Sequence, residues 1–360
     1  MAQLKLRNGG AATVNTADAR PRGFRLLGAS ALALALAAGI AACGDSSSGS
    51  ESSSDGSGGS IDLVAYSTPQ AAYEDNLEPA FNETPDGEGV EFSNSFAGSG
   101  DQSRAVEAGQ PASVVHFSLE PDMQRVVDSG AVADDWADNE YNGIVEDSVV
   151  VFVTRPGNPE GIETWDDLVS GDVEIVTPNP FQSGGAKWNL LAGYGAKLNE
   201  GASEAEAEDF LKQVLEASPT QPASARDALT AFTSGKGDVL LSYENEAIAA
   251  QEAGEDVEYT IPDDTILIET PIAATEEADD SAQTFVDYLY TDEAQQLWAD
   301  AGYRPVVESV FKKNEDKFPV PPGLFTIEDL GGWEKVNADF FDPEGSIVQE
   351  IESDLGVATE

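Results

Sequence analysis

Short turns that combine serine and glycine carry the residue types that could bind an anion. Ser183, Gly184 and Gly185 lie where an apolar segment ends and a helical pattern begins, and Ser99 lies in the comparable turn 97–100. The amino terminus of a helix presents unpaired backbone N–H groups and a partial positive charge, so it can hold an anion without a cationic side chain. The same Ser-Gly-Gly pattern is also typical of an ordinary N-cap, so taken alone it leaves both interpretations open.

Two further turns share this character. Ser67 follows the first apolar run in the turn Ser67-Thr68-Pro69, and Ala225 follows Ser224 at the start of another helical pattern. Arg226 comes next in the chain. We interpret Arg226 either as a brace behind an anion site or as a member of a surface salt bridge.

The elements that must position these turns alternate between short β-branched runs and helical patterns. The strand candidates are IDLVAY, VEFSNSF, SVVHFSL, SVVVFV, VEIVTPN, DVLLSY and TILIETPIA. The clearest helical patterns cover 186–198, 204–217, 225–234, 278–290 and 293–301. This order predicts an α/β fold with mainly parallel sheets, in which ligands bind where the carboxyl ends of strands enter helices.

The composition limits the partners of the chain. Its 360 residues include 18 basic and 67 acidic residues, a formal net charge of −49. That excess argues against binding nucleic acid or anionic lipid through a basic face. Scattered acidic residues are typical of a solvated surface and say little about the ligand.

The amino-terminal segment is typical of a secretion signal. Arg20, Arg22 and Arg25 lead into an apolar run that ends at Cys43, the only cysteine. Residues 1–42 are therefore predicted to be a signal peptide, and 43–60 a polar Gly/Ser linker. The segment resembles a lipoprotein signal, which implies that Cys43 is acylated and anchors the protein to the outer face of the cytoplasmic membrane. An ordinary cleaved signal or a signal anchor remains the alternative.

Other chemistry is weakly represented. His116 is the only histidine and lies in an apolar run, which predicts a strand-packing residue and excludes a histidine metal cluster. The segment DNEYNG from Asp138 resembles the start of a calcium loop, but its twelfth position is Val149. SGGAK lacks the first glycine of a phosphate loop. We expect no cofactor and no metal. Four tryptophans in helical patterns are predicted to be core residues: Trp165, Trp188, Trp298 and Trp333.

Several longer stretches carry a family resemblance. They are NPFQSGGAKWNLLAGYG, DVLLSYENEA, VVVFVTRPGNPEGIETWDDLV, GYRPV and LFTIEDLGGWEKV. These stretches resemble the bacterial sulfate-binding proteins of sulfate and thiosulfate importers, and the resemblance covers most of 61–341. It implies a two-lobed periplasmic-binding-protein fold of type II-like architecture, with the ligand in the interlobe cleft.

The resemblance also implies domain boundaries. One lobe would consist of 61–146 plus 265–360, and the other of 147–264. The crossings near Asp147 and Asp264 would act as hinges, and the carboxyl-terminal stretch would pack back on the first lobe.

Carried over position by position, the resemblance implies a set of neutral sulfate-binding residues: Ser67, Ser99, Ser183, Gly184, Gly185, Ala225 and Tyr243. Ser99 would donate both its hydroxyl and its amide. Ser67 stands where the family commonly has aspartate, which is tolerable if only the backbone N–H is used. Tyr243 stands where the family usually has a tryptophan that donates its indole N–H, and the alternative for Tyr243 is a core aromatic beside a strand.

The implied function is capture of sulfate by a monomeric, lipid-anchored protein that delivers it to an ABC permease and is not an enzyme. A site built from donors favours sulfate over phosphate, because a phosphate proton needs an acceptor. A binding protein for thiosulfate, molybdate or phosphate is the nearest alternative. An envelope hydrolase and a structural surface lipoprotein are more distant ones.

Overall fold

The computed structural model describes residues 59–359. The predicted signal peptide, the predicted acylation site Cys43 and nearly all of the predicted linker lie outside the described residues. Between residues 59 and 359, no helix is long and apolar enough to cross a membrane.

The strands form one mixed sheet with the order β2-β1-β3-β8-β4-β6-β5, and off this path β7 and β9 pair with β4 while β10 pairs with β8. The strands are β1 Ser60–Tyr66, β2 Glu91–Ala97, β3 Val114–His116, β4 Ile144–Thr154, β5 Ile175–Val176, β6 Val239–Tyr243, β7 Glu258–Thr260, β8 Asp264–Ala274, β9 Arg304–Pro305 and β10 Gly323–Phe325. All seven strand candidates are confirmed. The two- and three-residue strands β7, β9 and β10 are too short to produce an alternating pattern.

Helices connect most of these strands. They are α1 Gln70–Ala72, α2 Glu78–Asn82, α3 Ser99–Glu107, α4 Glu120–Asp128, α5 Gly184–Asn199, α6 Glu204–Glu216, α7 Ala225–Thr233, α8 Glu244–Glu252, α9 Asp280–Leu289, α10 Asp292–Asp300, α11 Glu308–Lys313, α12 Gly332–Val336 and α13 Ile347–Leu355. A π-helical turn at Tyr73–Leu77 joins α1 to α2, and another at Asn337–Phe341 follows α12. Short 3-10 helices lie at Trp165–Val169 and Glu328–Leu330. The five clearest helical patterns are confirmed as α5, α6, α7, α9 and α10.

The centre of the sheet departs from the expected parallel arrangement. The outer pairs β1–β2, β1–β3 and β5–β6 are parallel, but β4 and β8 run antiparallel to each other. Each of these two strands is 11 residues long, and β4 pairs first with β8 and then with β6. The expectation of mainly parallel sheets is therefore wrong at the centre, because β4 and β8 cross in opposite directions between the two outer groups of strands.

Two groups of apolar residues pack on either side of this crossing. Leu63, Phe285 and Trp298 belong to one cluster, to which β4 contributes Val145. A second cluster receives Val150 from the same strand. The predicted hinge residues Asp147 and Asp264 lie within β4 and at the start of β8, and their hinge role stays a prediction. The four tryptophans are at most 7% exposed, which confirms them as core residues.

The carboxyl-terminal segment packs mainly on the part of the chain predicted as the second lobe, while α12 also contacts α4 of the predicted first lobe. The division into lobes stays a prediction. Trp333 meets Trp188 of α5 edge-on at 4.7 Å between ring centroids, and Phe340 meets Tyr194 of α5 at 4.7 Å. The reason is that α5 has apolar side chains around nearly its whole circumference, and the carboxyl-terminal helices cover the side that the sheet leaves open.

Candidate functional site

The amino terminus of α5 forms the centre of the candidate site. Ser183 is its N-cap residue in extended conformation, but the Ser183 side chain does not cap the helix. The loop before it is fixed by Asn179, whose carbonyl oxygen accepts from Ser183 N–H at 2.8 Å. Gly184 and Gly185 are the first helical residues, so their N–H groups have no acceptor within the helix. Among residues 59–359, the hydroxyl of Ser183 has no hydrogen-bond partner although the residue is only 4% exposed.

Close neighbouring side chains require a glycine at position 184, and the same neighbourhood surrounds Gly185 at ordinary van der Waals distances. A Cβ atom on Gly184 would lie 2.6 Å from Ser118 Oγ. A Cβ atom on Gly185 would lie 3.4 Å from Ser183 Oγ, 3.4 Å from Tyr243 Cε1 and 3.6 Å from Ala225 Cβ. Residues from α5, α7 and the end of β6 therefore converge around one point. This confirms that the tertiary structure brings these predicted residues together, while their role as ligand contacts stays a prediction.

Helix α7 directs a second amino terminus toward this point. Its N-cap residue Ser224 accepts a hydrogen bond from Asp227 N–H at 3.1 Å. The cap thus satisfies a donor deeper in the first turn and leaves the N–H of Ala225 at the very start of the helix. Ala225 is 8% exposed, so a buried anion beside it would meet a free amide in a largely dry environment.

Helix α3 contributes a third amino terminus through Ser99, which is 2% exposed. The Ser99 hydroxyl donates to Asp122 Oδ2 at 2.6 Å and accepts from Ser118 N–H at 3.0 Å. In this arrangement the Ser99 hydroxyl donates its hydrogen bond to the Asp122 carboxylate, and its expected donation to a ligand stays a prediction. The Ser99 amide, at the first position of α3, remains available as a donor.

Ser67 follows β1 and is buried at the same end of the sheet, with 8% exposure. The carbonyl oxygen of the adjacent Thr68 accepts from Arg226 Nη2 at 2.9 Å. Arg226 also donates to Glu246 at 3.0 Å, and Glu246 is almost fully buried. Burial raises the pKa of Glu246, while its carboxylate raises the pKa of Arg226. Arg226 therefore links the Ser67 turn to α7 and α8 and also forms a salt bridge with Glu246, so both of its interpretations describe part of its environment and its role at an anion site stays a prediction.

Tyr243 ends β6 and is 1% exposed. Its hydroxyl lies 2.7 Å from Ser118 Oγ, and either oxygen can be the donor. Burial raises the pKa of Tyr243 well above its ordinary value, so the phenol stays protonated. Tyr243 packs in the apolar core and also borders Gly185, so both of its interpretations describe part of its environment.

The sequence analysis missed Ser118 and Asp122. Ser118 lies two residues after the end of β3, and its carbonyl oxygen accepts from the indole N–H of Trp188 at 2.7 Å. Asp122 lies in the first turn of α4 and accepts from Ser103 as well as from Ser99. The sequence carried no signal for Ser118, because SVVHFSL was predicted as a strand that includes Ser118, whereas β3 ends at His116 and leaves Ser118 in the loop that enters the site.

The space bordered by Ser183, Gly184, Gly185, Ala225 and Tyr243 is called the anion cradle below. Basic side chains near this cradle are directed to other partners. Lys187 Nζ, in α5, lies 3.0 Å from Asn337 Oδ1 and 4.9 Å from the ring centroid of Phe341. Burial lowers the pKa of Lys187 to about 8. Arg104 donates to Asp101 at 2.6 Å and to the Phe181 carbonyl oxygen. The donors that converge on the cradle are therefore neutral amides and hydroxyls.

The histidine and the calcium-like segment have structural explanations. His116 is fully buried, with Tyr73 Oη at 2.8 Å and Thr270 Oγ1 at 3.0 Å from its ring nitrogens. Burial lowers its pKa to about 3, so the ring is neutral, and the interpretation as a strand-packing residue is confirmed. The DNEYNG segment forms a turn in which Asn139 Oδ1 accepts from two backbone N–H groups. In the part of the chain that the structure describes, no three acidic, histidine or cysteine side chains are grouped to hold a metal.

Known proteins resemble this chain in sequence and in fold. A family model described as bacterial extracellular solute-binding protein matches residues 61–304. A sulfate-binding protein of Synechococcus elongatus is 41% identical over 89% of this chain and 94% of its own length. A thiosulfate-binding protein of Pseudomonas aeruginosa is 30% identical over 81% of this chain and 91% of its own.

A solved structure extends the comparison to three dimensions. The sulfate-binding protein SubI from Mycobacterium tuberculosis H37Rv matches with a TM-score of 0.77 at 45% identity, over 79% of this chain and all of that chain. The periplasmic binding protein P5PA, at 19% identity and a TM-score of 0.56, shares the fold alone. Fold and site together define a two-lobed extracellular solute-binding protein, a class that binds its ligand without transforming it. Within this class, the chain belongs to the family of bacterial sulfate- and thiosulfate-binding proteins.

Proposed function

We propose that this protein captures sulfate outside the cytoplasmic membrane and delivers it to an ABC permease. The observation that carries the proposal is the convergence of three helix amino termini, those of α3, α5 and α7, on a buried point lined by Ser183, Gly184 and Gly185. Backbone N–H groups with no acceptor in their own helix, in a largely buried site, are matched to an anion that only accepts hydrogen bonds.

Each residue has a defined role in this proposal. Ser183 donates its unpartnered hydroxyl, and Gly184 and Gly185 donate amides from the first turn of α5. Ala225, Ser99 and Ser67 donate amides from three other turns, and Tyr243 supplies a phenolic hydroxyl. Arg226 holds the Ser67 turn in place through the Thr68 carbonyl group. Seven neutral residues would thus surround the anion without a counter-charge in contact with it.

Low water access is what makes neutral donors sufficient. The residues that border the cradle are between 1% and 8% exposed, and hydrogen bonds to an ion strengthen in such a low-dielectric environment. A carboxylate facing the ligand would be repulsive, and Asp122 is separated from the cradle by the Ser99 hydroxyl that it binds. This arrangement supports preference for a fully ionised anion.

Contacts between the two predicted lobes support a closing motion around the ligand. Gly100 N–H donates to the Gln182 carbonyl oxygen at 3.2 Å, and Arg226 reaches Thr68 at 2.9 Å. Opening a hinge in β4 and β8 would break both contacts and expose the cradle. We propose that closure on sulfate makes these contacts and that the permease opens them.

Tethering and assembly complete the proposal. Acylation of Cys43 would hold a monomer beside its permease, with the Gly/Ser-rich residues 44–60 between the anchor and the folded part. Incorporation of a labelled fatty acid into the wild-type chain, and its loss in Cys43→Ala, tests the anchor. Light scattering of the detergent-purified chain tests the monomer.

The ligand is tested by calorimetric titration of the full chain, purified in detergent and dialysed free of anions, with sulfate, thiosulfate, molybdate and phosphate. We expect a single sulfate site. Strong binding of another oxyanion without sulfate binding would reassign the ligand, and no binding of any small anion would refute the capture role. Thiosulfate is the second candidate, because a thiosulfate-binding protein is 30% identical over most of the chain.

A further inference from the structure

The Ser118–Tyr243 contact joins the end of β6 to the loop after β3, two segments that lie 125 positions apart in the chain. Ser118 follows β3, Tyr243 ends β6, and their hydroxyl oxygens lie 2.7 Å apart. Both residues are 1% exposed. Two buried hydroxyl groups at this distance share one hydrogen bond and have no bulk water as an alternative partner.

The pair borders the first turn of α5. Ser118 Oγ is the atom nearest to the position that a Cβ on Gly184 would take, at 2.6 Å, and Tyr243 Cε1 lies 3.4 Å from the equivalent position on Gly185. The backbone of Ser118 is held on both sides, since its N–H donates to Ser99 Oγ and its carbonyl oxygen accepts from Trp188. Ser118 therefore presents its hydroxyl at a fixed place beside the anion cradle.

Counting protons shows what such a pair can offer. Two hydroxyls carry two protons, and the bond between them uses one proton and one lone pair. One proton is left to point outward, and both oxygens keep a free lone pair. If the Tyr243 hydroxyl donates its hydrogen bond to Ser118 Oγ, the tyrosine oxygen can accept a hydrogen bond from a protonated ligand oxygen. The pair can thus donate or accept, whereas the indole N–H that the family usually has at this position can only donate.

We propose that Ser118 is a specificity-determining residue. By accepting the hydrogen bond of the Tyr243 hydroxyl, it lets the site hold an oxyanion that carries one proton as well as a fully ionised one. This inference rests on the proposed function, because it concerns the same anion site. It predicts that hydrogen phosphate competes with sulfate better than a site built only from donors would allow. Sulfate remains the preferred ligand, since the backbone donors outnumber this one pair.

Ser118→Ala tests the inference. In this variant the Tyr243 proton has no alternative acceptor, so a protonated ligand oxygen faces a donor that cannot turn away. We expect affinity for hydrogen phosphate, measured calorimetrically in mildly alkaline buffer, to fall relative to sulfate by about tenfold or more. Ser118→Thr keeps the hydroxyl and should restore the wild-type ratio.

Selenate provides the control, because it has the shape and full ionisation of sulfate and carries no proton. A merely structural effect of Ser118→Ala would weaken binding of all three anions alike and leave both ratios unchanged. On the inference, the phosphate-to-sulfate ratio falls while the selenate-to-sulfate ratio stays within about twofold. Ser118→Ala combined with Tyr243→Trp supplies a donor without an acceptor and should shift the phosphate-to-sulfate ratio in the same direction as Ser118→Ala.

The outcomes separate the inference from the function. If the ratio of phosphate affinity to sulfate affinity stays unchanged in Ser118→Ala and in the double variant, with sulfate still bound, the role of Ser118 is overturned and sulfate capture stays intact. A wild-type chain that binds no sulfate would overturn the proposed function, and the inference with it.

Discussion

Replacing Ser183 with alanine isolates one proposed ligand donor. The Ser183 hydroxyl does not cap α5, so its removal should leave the free energy of unfolding of the ligand-free protein almost unchanged. A hydrogen bond to a charged partner contributes about 1.5–3 kcal/mol, which corresponds to sulfate binding about 10- to 150-fold weaker. Calorimetric titration measures the affinity, and urea unfolding without anion measures the stability.

Ser224→Ala is the matched control, because Ser224 is also a serine N-cap at the site. Its side chain does accept from Asp227 N–H, so alanine should destabilise the protein by about 0.5–2 kcal/mol. The effect of Ser224→Ala on the affinity of the folded protein should be smaller than that of Ser183→Ala. The reasoning is refuted if Ser183→Ala binds sulfate as tightly as wild type, or if it loses as much stability as Ser224→Ala.

Three further predictions concern other parts of the structure. Gly184→Ala places a methyl group 2.6 Å from Ser118 Oγ and 2.7 Å from Leu119 Cδ2, so we expect weaker sulfate binding than in Ser183→Ala and a stability loss of about 1–3 kcal/mol; wild-type affinity by calorimetry would contradict this. Trp333→Ala should lower the free energy of unfolding, measured in urea, by about 3–5 kcal/mol, because the residue packs on α5. A loss below about 1 kcal/mol would argue against that packing. Burial raises the pKa of Glu146 from 4.5 to about 7, so the folded state holds a proton that the unfolded state releases, and stability should fall by up to about 3 kcal/mol as pH rises across this interval. Glu146→Gln should make that slope shallower in urea titrations at several pH values, and an unchanged slope would exclude Glu146 as its source.

Local sequence signals account for much of the candidate site. Proline-punctuated strand ends and Ser-Gly turns marked the starts of α5 and α3, and Ser224 marked the cap of α7, because these patterns depend on neighbours in the chain. The missed residue Ser118 illustrates the limit. Its neighbours in sequence are apolar, and only its position beside Gly184 distinguishes it from any serine after a strand.

The role of a given hydroxyl also depended on distant partners. Ser99 and Ser183 look equivalent in sequence, since both begin a helix in a glycine-containing turn. Asp122, 23 positions after Ser99, accepts the hydrogen bond of the Ser99 hydroxyl. The Ser183 hydroxyl has no such partner among residues 59–359. No local pattern reports which hydroxyl is already used.

The sequence by itself determined the α/β class, the positions of the seven principal strands and the helix starts that carry the anion donors, because periodicity and capping act over a few residues. Tertiary structure decided the antiparallel crossing of β4 and β8, the packing of Trp333 on α5 and the contact between Ser118 and Tyr243. These features join residues far apart in the chain. They follow from burial of complementary apolar faces and from pairing of buried polar groups, which only the assembled fold specifies.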